Sequence, residues 1–441
     1  MCKISIIGAG SYFTLRLIGD FFRLRDLWGS NIVLYDINKR ILKTMYKIIY
    51  NNVLRENVDL DISFTTNIKE ALENSDFVII TIRVGGSIAT ENIIKIPMKY
   101  GVRQVVGDTT GPSGILKGLL EIPVILDIAT MLEDLSTRAI ILNFTNPITP
   151  IGMAVSKGTS IRIIGLCHGI NHIRVLASKL LKIDLNNIYP VAGGINHLTW
   201  CTSLRYSDKD ILENFIEKIF SKKSESILEE HPYIIGRQLL KIYGNPPVLN
   251  DRHTSEFFSC LYRWFKDPKI GKILRKVSGI IDYKRKTLRR DWIEERNRKW
   301  IYLERMLKGS YELEIKPSNE YAIDIISSIV NDRRRDLLAV NILNNNYIDV
   351  PSWAYVEVPA IVDGYGVHGI KVGKISDAIL TILRLHIDKY RLLVDGILER
   401  DRDLVIQALA LDPLTPSPAD AEKIFNDFIN VSQKFLSIKF N

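Results

Sequence analysis

At 441 residues the chain exceeds what one hydrophobic core usually serves, so two closely packed lobes are expected. Its 46% hydrophobic and 25% charged residues exclude a disordered chain, and a formal charge of +9 spread over this length argues against a nucleic-acid binder. Four cysteines without CxxC spacing, no run of eighteen apolar residues and no signal-peptide pattern point to a cytoplasmic protein with no membrane span and no disulfide framework.

The opening KISIIGAGSYF is a short β-branched run that breaks at Gly8 and Gly10 and passes into TLRLIGDFFRL, apolar at helical intervals. This is strand, tight turn, helix. Glycines there, with Ser11 in the turn, let the backbone approach a pyrophosphate that faces the helix N-terminal amides. NIVLYDIN follows as a second strand and ends in Asp36, twenty-six residues after Gly10. A carboxylate at that place accepts from both ribose hydroxyls and repels a 2′-phosphate, which favours NAD over NADP. The third glycine of GxGxxG is replaced by Phe13, which predicts a looser helix–sheet contact. DFVIITI at 76–82 and RAIILNFTNP at 138–147 read as further strands, and strand order puts Arg83, Asn143 and Asn146 near the nucleotide edge. The fold class expected is α/β, with a Rossmann-type dinucleotide-binding lobe over 1–155 and a mixed α+β substrate and metal lobe over 156–441.

In the second lobe, Cys167 of GLCHGINH and His197 of GGINHLTW each follow a short apolar strand. They could be core filler or two ligands of one metal. Helices are expected around 211–243, 253–308 and 319–346, strands over 355–367, a helix pair over 374–411, and a final helix after the turn-rich PLTPSP. The densest basic stretch, 282–300, mixes acids among its bases and reads as a solvated charged helix.

Several segments, in order and spacing, together resemble the NAD- and metal-dependent glycoside hydrolases of family 4. They are IIGAGS, LYDIN, DFVIITIRVGG, GDTTGPSG, LNFTNP, GLCHG, GGINHLTW, GNPPVLNDRHTSEFF and VEVPAIVDGYGVHGIKVG. That family is an NAD-dependent exception among glycosidases. The resemblance implies oxidation of the sugar at C3, removal of the acidified C2 proton by a base, elimination of the leaving group, addition of water, and return of the hydride. It implies NAD at Gly8, Gly10, Ser11, Asp36 and Asn143, and a divalent cation, manganese in most members, on Cys167 and His197. A thiolate beside an imidazole is a soft pair, so cobalt, nickel or iron could also serve.

His168 stands where phosphosugar members carry aspartate or asparagine, and is expected either as the proton donor to the leaving group or as a hydrogen-bond donor to the sugar. Asp251 of LNDRHTSEFF is expected as the base, with Tyr243 and Tyr262 as substitutes. Arg83, Asn146, Asn196 and His253 are the expected substrate contacts. One departure stands out: the family's GQETxGxGG is VGDTTGPSG here, with Asp108 a methylene shorter than glutamate. The Cys-His-Gly-Ile tetrapeptide points away from phosphosugars and towards α-glucosides or α-glucuronides, with Gly169 leaving room at the sugar and Arg237, Arg252 or Arg285 to meet a uronate. The alternatives are a 6-phospho-glycosidase of the same family and an NAD-dependent dehydrogenase of 2-hydroxy acids. The partners expected are a small glycoside and further copies of the chain, as a homodimer or homotetramer, with no nucleic acid and no membrane.

Overall fold

Apolar runs broken by glycine and asparagine fold the first part of the chain into six short strands: β1 (Lys3–Ile7), β2 (Asn31–Tyr35), β3 (Asp61–Thr65), β4 (Phe77–Ile80), β5 (Ile140–Asn143) and β6 (Arg162–Gly165). The computed structural model describes residues 1–278, 281–282, 287–288, 292–309 and 317–440. All six strands pair in parallel, in the order β3-β2-β1-β4-β5-β6. β4 and β5 are buried along their whole length, as the apolar runs FVII and IIL require of strands covered by helices on both faces. The order reverses between β1 and β4, so a ligand crevice lies outside the carboxyl ends of those strands. This parallel half runs past residue 155 to Gly165.

The remaining strands are β7 (Ile188–Ile195), β8 (Leu198–Tyr206), β9 (Lys209–Asp210), a hairpin of β10 (Ile281–Asp282) and β11 (Thr287–Leu288), β12 (Arg335–Leu343), β13 (Tyr355–Asp363) and β14 (Gly366–Gly369). β12 pairs β6 antiparallel, with Asn341 opposite Gly165, and the sheet continues through β13, β7, β8 and β9. One twelve-stranded sheet therefore serves both lobes, parallel in one half and antiparallel in the other. The helix Ile148–Gly158 packs across the join: Gly152 lies against the Tyr355 ring, whose hydroxyl donates to Ile163 O at 2.8 Å.

The helix expected over 319–346 is corrected. Ala322–Val330 is helical, but Arg335–Leu343 is β12, whose apolar LLAV core is compatible with either state and is decided by two sheet neighbours. Within the helical region expected over 253–308, the described residues hold four helices: Asp251–Thr254, Leu261–Lys266, Pro268–Val277 and Trp292–Leu307. Asp267 starts the third by accepting from the Lys269 and Ile270 amides, with Pro268 at its first position. Likewise 211–243 divides into Leu212–Phe220, Glu225–Glu230 and Ile234–Tyr243, the last stopped by Gly244 at φ +85. The charged stretch lies partly outside the described residues; where it is described, Asp282 and Thr287–Leu288 are strand rather than the helix expected, and 292–300 forms the start of Trp292–Leu307, with Lys299 and Glu295 paired at 3.1 Å one turn apart. The helix pair near the C-terminus is Asp377–Glu399 and Arg402–Leu411, and Pro418–Ser432 follows the PLTPSP turn. Among the described residues no helix is long and apolar enough to cross a membrane.

Candidate active site

The first glycine turn is closed by its own backbone. The Gly8 and Ala9 amides both donate to Tyr35 O, at 2.9 and 2.8 Å. Gly8 sits at φ +87, and a Cβ there would lie 2.5 Å from Thr81 O, so no other residue fits without a shift. The Gly10 amide donates to Asp36 Oδ2 at 2.9 Å, and the Asn38 amide donates to Oδ1 at 2.8 Å. Each Asp36 oxygen keeps acceptor capacity for a ribose. The helix Phe13–Arg23 has no side-chain cap at its N-cap residue, and Ser11 Oγ accepts only the Phe13 amide, at 3.3 Å. Phe13 itself packs edge-on against Phe144, ring centres 4.8 Å apart. Asn143 is placed differently. It is fully buried, and its amide donates to Thr145 O and accepts from Thr145 N, both at 3.0 Å. Its side chain shapes the loop after β5, while Gly8, Gly10, Ser11 and Asp36 gather at the crevice.

Cys167 and His197 meet across the other end of the crevice. Asn196 and His197 form the two-residue link between β7 and β8, with Ile195 paired to Leu198. Such a link needs positive φ, and His197 takes it, at +68. The turn aims the imidazole so that Nε2 lies 3.4 Å from Cys167 Sγ, while Nδ1 lies 2.9 Å from Thr109 Oγ1. Burial drives the Cys167 thiol well above its ordinary range and nearby Glu357 adds to this, against the donors Gly169 N and Asn196. A thiolate there needs a cation beside it. Burial also lowers His197 to about 4, which leaves a neutral imidazole with a lone pair. The pair suits one divalent ion, since bonds of about 2.0–2.3 Å from a single centre reach both atoms. Among the described residues no group of three or more His, Cys, Asp or Glu side chains could hold a metal, so an ion held by this pair alone would have places left for other oxygen ligands. Two buried oxygens without a partner, Asn196 Oδ1 and Asn146 Oδ1, are a further sign of a polar ligand.

Around this pair stand the other expected residues. His168 has a side chain 62% exposed, and its Nδ1 lies 3.0 Å from Oε1 of buried Glu320. The bond to Glu320 raises the His168 pKa against the pull of burial. Nothing in the sequence marked Glu320, which lies 152 residues away in an unremarkable PSNEYAID stretch. Asn196 Nδ2 donates to Glu357 Oε2 at 2.9 Å. Glu357 was also missed, although the VEVPA segment that carries it is among those that carry the family resemblance; burial pushes it up to about 7, against bonds from Asn196 and Asn341. Asp108 Oδ2 accepts from Asn146 Nδ2 at 3.4 Å. Burial works to raise Asp108, but the Lys117 charge, His197, His253 and the Thr109 hydroxyl outweigh it and hold it at about 2. His253 places its ring 4.6 Å from that of His197, at 61°. Arg83 is exposed just beyond β4.

Asp251, expected as the base, occupies another position. Its Oδ2 accepts from the Ile234 and Ile235 amides at 2.7 and 3.0 Å, and Oδ1 from Gly236 at 2.9 Å. The buried carboxylate thus caps Ile234–Tyr243, with burial lifting it to about 6 against those three amides. Of the two tyrosines, Tyr243 packs between Trp200 and Phe258, and the Tyr262 hydroxyl donates to Leu414 O. Arg237 is paired to Glu225 at 2.7 Å, and Arg285 lies outside the described residues. Arg252 differs from Arg237: its Nε is buried without a partner, and its charge reaches His172 and His253.

The sequence model of the family 4 glycosyl hydrolases matches residues 3–183, and that of the family's C-terminal domain matches 192–415. The chain belongs to the family 4 glycosyl hydrolases. An α-glucosidase of Erwinia rhapontici is 29% identical to it over 99% of both chains. An α-galacturonidase of Lachnoclostridium phytofermentans is 26% identical, over 100% of this chain and 97% of its own. The fold of a 6-phospho-α-glucosidase from gut microorganisms, solved in complex with NAD and Mn²⁺, superposes over the whole of both chains with a TM-score of 0.82 at 21% identity. In this family 4 hydrolase the two matched segments meet just before and after the start of β7, so both the cysteine and its neighbour His168 fall in the first and His197 in the second.

Proposed function

We propose that this family 4 glycosyl hydrolase cleaves unphosphorylated α-linked hexosides or hexuronides, with α-glucosides and α-glucuronides as the first substrates to test. One observation carries the reading: beside Cys167 stands an exposed histidine held by a buried glutamate, where the family's phosphosugar members carry aspartate or asparagine. An α-glucosidase and an α-galacturonidase among the relatives support it. Bound NAD would supply a reversible hydride acceptor for C3, and a divalent cation, manganese first, would polarise the C2 and C3 oxygens.

In this reading Gly8, Gly10, Ser11 and Asp36 hold the dinucleotide, and Asn143 keeps the loop after β5 in shape. Cys167 and His197 hold the metal. Asn146, Asn196, Arg83 and His253 meet the sugar. Glu320 occupies Nδ1 of His168, so Nε2 is the nitrogen that protonates the departing glycosidic oxygen and takes the proton back from water. Asp251 fits a helix cap better than a base at C2.

The test is a panel of nitrophenyl α- and β-glycosides, with and without a 6-phosphate, supplied with NAD, Mn²⁺ and a thiol reductant. Nitrophenol release from an unphosphorylated α-glucoside or α-hexuronide, with solvent deuterium entering C2 of the product, is expected. Turnover of 6-phosphoglycosides alone would overturn the substrate class. Stoichiometric accumulation of NADH from a 2-hydroxy acid would overturn the reaction.

A further inference from the structure

We propose that Thr109, aligned by Asp108, sets the tautomer of His197 and so presents the Nε2 lone pair to the metal beside Cys167. The inference rests on the metal reading of that pair and adds a positioning residue to it. A threonine hydroxyl has one hydrogen. Thr109 Oγ1 donates it to Asp108 Oδ1 at 3.0 Å, and a carboxylate has none to return. The contact of 2.9 Å between Thr109 Oγ1 and His197 Nδ1 then has a single polarity: Nδ1–H donates and Oγ1 accepts. The proton is therefore on Nδ1, and Nε2, 3.4 Å from Cys167 Sγ, is left with its lone pair.

The hydroxyl can select a tautomer only if its own direction is fixed, and the surrounding chain fixes it. Glu256 Oε1 accepts from the Val106 amide at 2.7 Å and from Val105, and its Oε2 accepts from Gly107 at 3.1 Å. Gln104 donates to Thr110 O at 2.8 Å and accepts from the Ser113 amide at 2.9 Å. From the helix Asp377–Glu399, the Tyr390 hydroxyl donates to Thr109 O at 3.1 Å. Buried Lys389, paired with Asp412 at 2.7 Å, donates to Thr110 Oγ1 at 2.9 Å. The 104–113 segment is gripped on both sides of Thr109. The aspartate that replaces the family's glutamate belongs to this arrangement, since the shorter side chain stops at the adjacent hydroxyl.

The experiment measures Mn²⁺ affinity of the full-length reduced protein by electron paramagnetic resonance, with NAD affinity and melting temperature followed in parallel. Thr109→Val, which keeps the shape and removes the hydroxyl, is expected to weaken Mn²⁺ about 10- to 100-fold, the range found when a partner of a metal-bound histidine is lost. Thr109→Ser should stay within about threefold of the parent. Asp108→Ala frees the hydroxyl to donate to Nδ1, favours the wrong tautomer, and should weaken Mn²⁺ about tenfold. Selective ¹⁵N labelling of histidine reads the tautomer directly: one ring nitrogen of His197 protonated in the parent, an averaged signal in Thr109→Val. Mn²⁺ binding by Thr109→Val within about twofold of the parent, or equal losses in the Ser and Val variants, would overturn the proposal. If Thr109→Val does not fold, Asp108→Ala decides, and unchanged Mn²⁺ affinity there overturns it. His197→Ala separates the two readings. Unchanged Mn²⁺ affinity in that variant defeats the metal assignment and the tautomer relay together, whereas loss there beside intact binding in Thr109→Val defeats the relay alone.

Discussion

The glycine turn at Gly8–Asp36 and the Cys167–His197 pair are built by opposite means. The turn is closed by bonds between the ends of the first two strands, the longest of them spanning 27 residues, between Gly8 and Tyr35. The Cys167–His197 pair depends on groups far away in the chain: Thr109 is 88 residues from His197, and Glu357 is 161 residues from Asn196. Local sequence therefore suffices for the first, while the second exists only once the antiparallel half of the sheet has closed on the parallel half. The difference predicts that damage to either region should be confined to its own ligand.

The largest expected effect is that of Cys167→Ser. Mn²⁺ affinity should fall more than about 100-fold and hydrolysis should disappear with it, while NAD binds as before. Isothermal titration with each ligand checks this, and a parallel loss of NAD binding would show that the two regions are one cooperative unit. The reciprocal variant is Gly10→Ala, whose Cβ would lie 2.6 Å from Asp36 Oδ2 and 2.7 Å from Ile41 Cγ2. Overpacking of that kind costs about 1–3 kcal/mol, so NAD should weaken about 5- to 150-fold, with Mn²⁺ affinity intact. Loss of Mn²⁺ binding in Gly10→Ala would break the separation from the other side.

How much of this was legible follows the same division. The parallel half could be read from KISIIGAGS and NIVLYDIN because strand period, glycine and terminal carboxylate all lie within one window. β12 could not, because LLAVNIL is apolar enough for helix or strand and only its neighbours β6 and β13 decide. At the site, family resemblance singled out Cys167, His168 and His197 through the GLCHG and GGINHLTW segments. Glu320 and Glu357 escaped because a buried carboxylate announces itself only through its partner, His168 in one case and Asn196 in the other. Asp251 shows the converse. Its motif promised chemistry, but the three amides on its carboxylate are a structural task that local sequence does not display.

That task gives a sharper test of the assembled region. As a helix cap, Asp251 replaced by alanine leaves three buried amides with no acceptor, which should lower stability by about 1–3 kcal/mol in urea unfolding. Deuterium exchange at C2 of the substrate should fall only with the folded fraction. Unchanged stability beside a loss of exchange greater than about 10³-fold would return the base to Asp251.

The smallest expected change is one of slope. Glu256 joins the segment after Thr254 to the Val105–Gly107 amides and lies 2% exposed. Burial pushes its carboxyl from 4.5 up to about 7, against those amides and with Asp108 adding in the same direction. The folded chain thus binds this proton more tightly than the unfolded chain. Its contribution is fully present below pH 4.5, is lost as pH rises towards 7, and is constant above. Glu256→Gln keeps an oxygen for the amides and removes the titration, so it should flatten the fall of stability by up to about 1.4 kcal/mol per pH unit within that window. Urea unfolding at several pH values on each side of 6 measures the difference. Identical slopes in parent and variant would mean that the carboxylate grips the loop as a charge throughout. The 104–113 segment would then be held by electrostatics as firmly as the glycine turn is held by its own backbone.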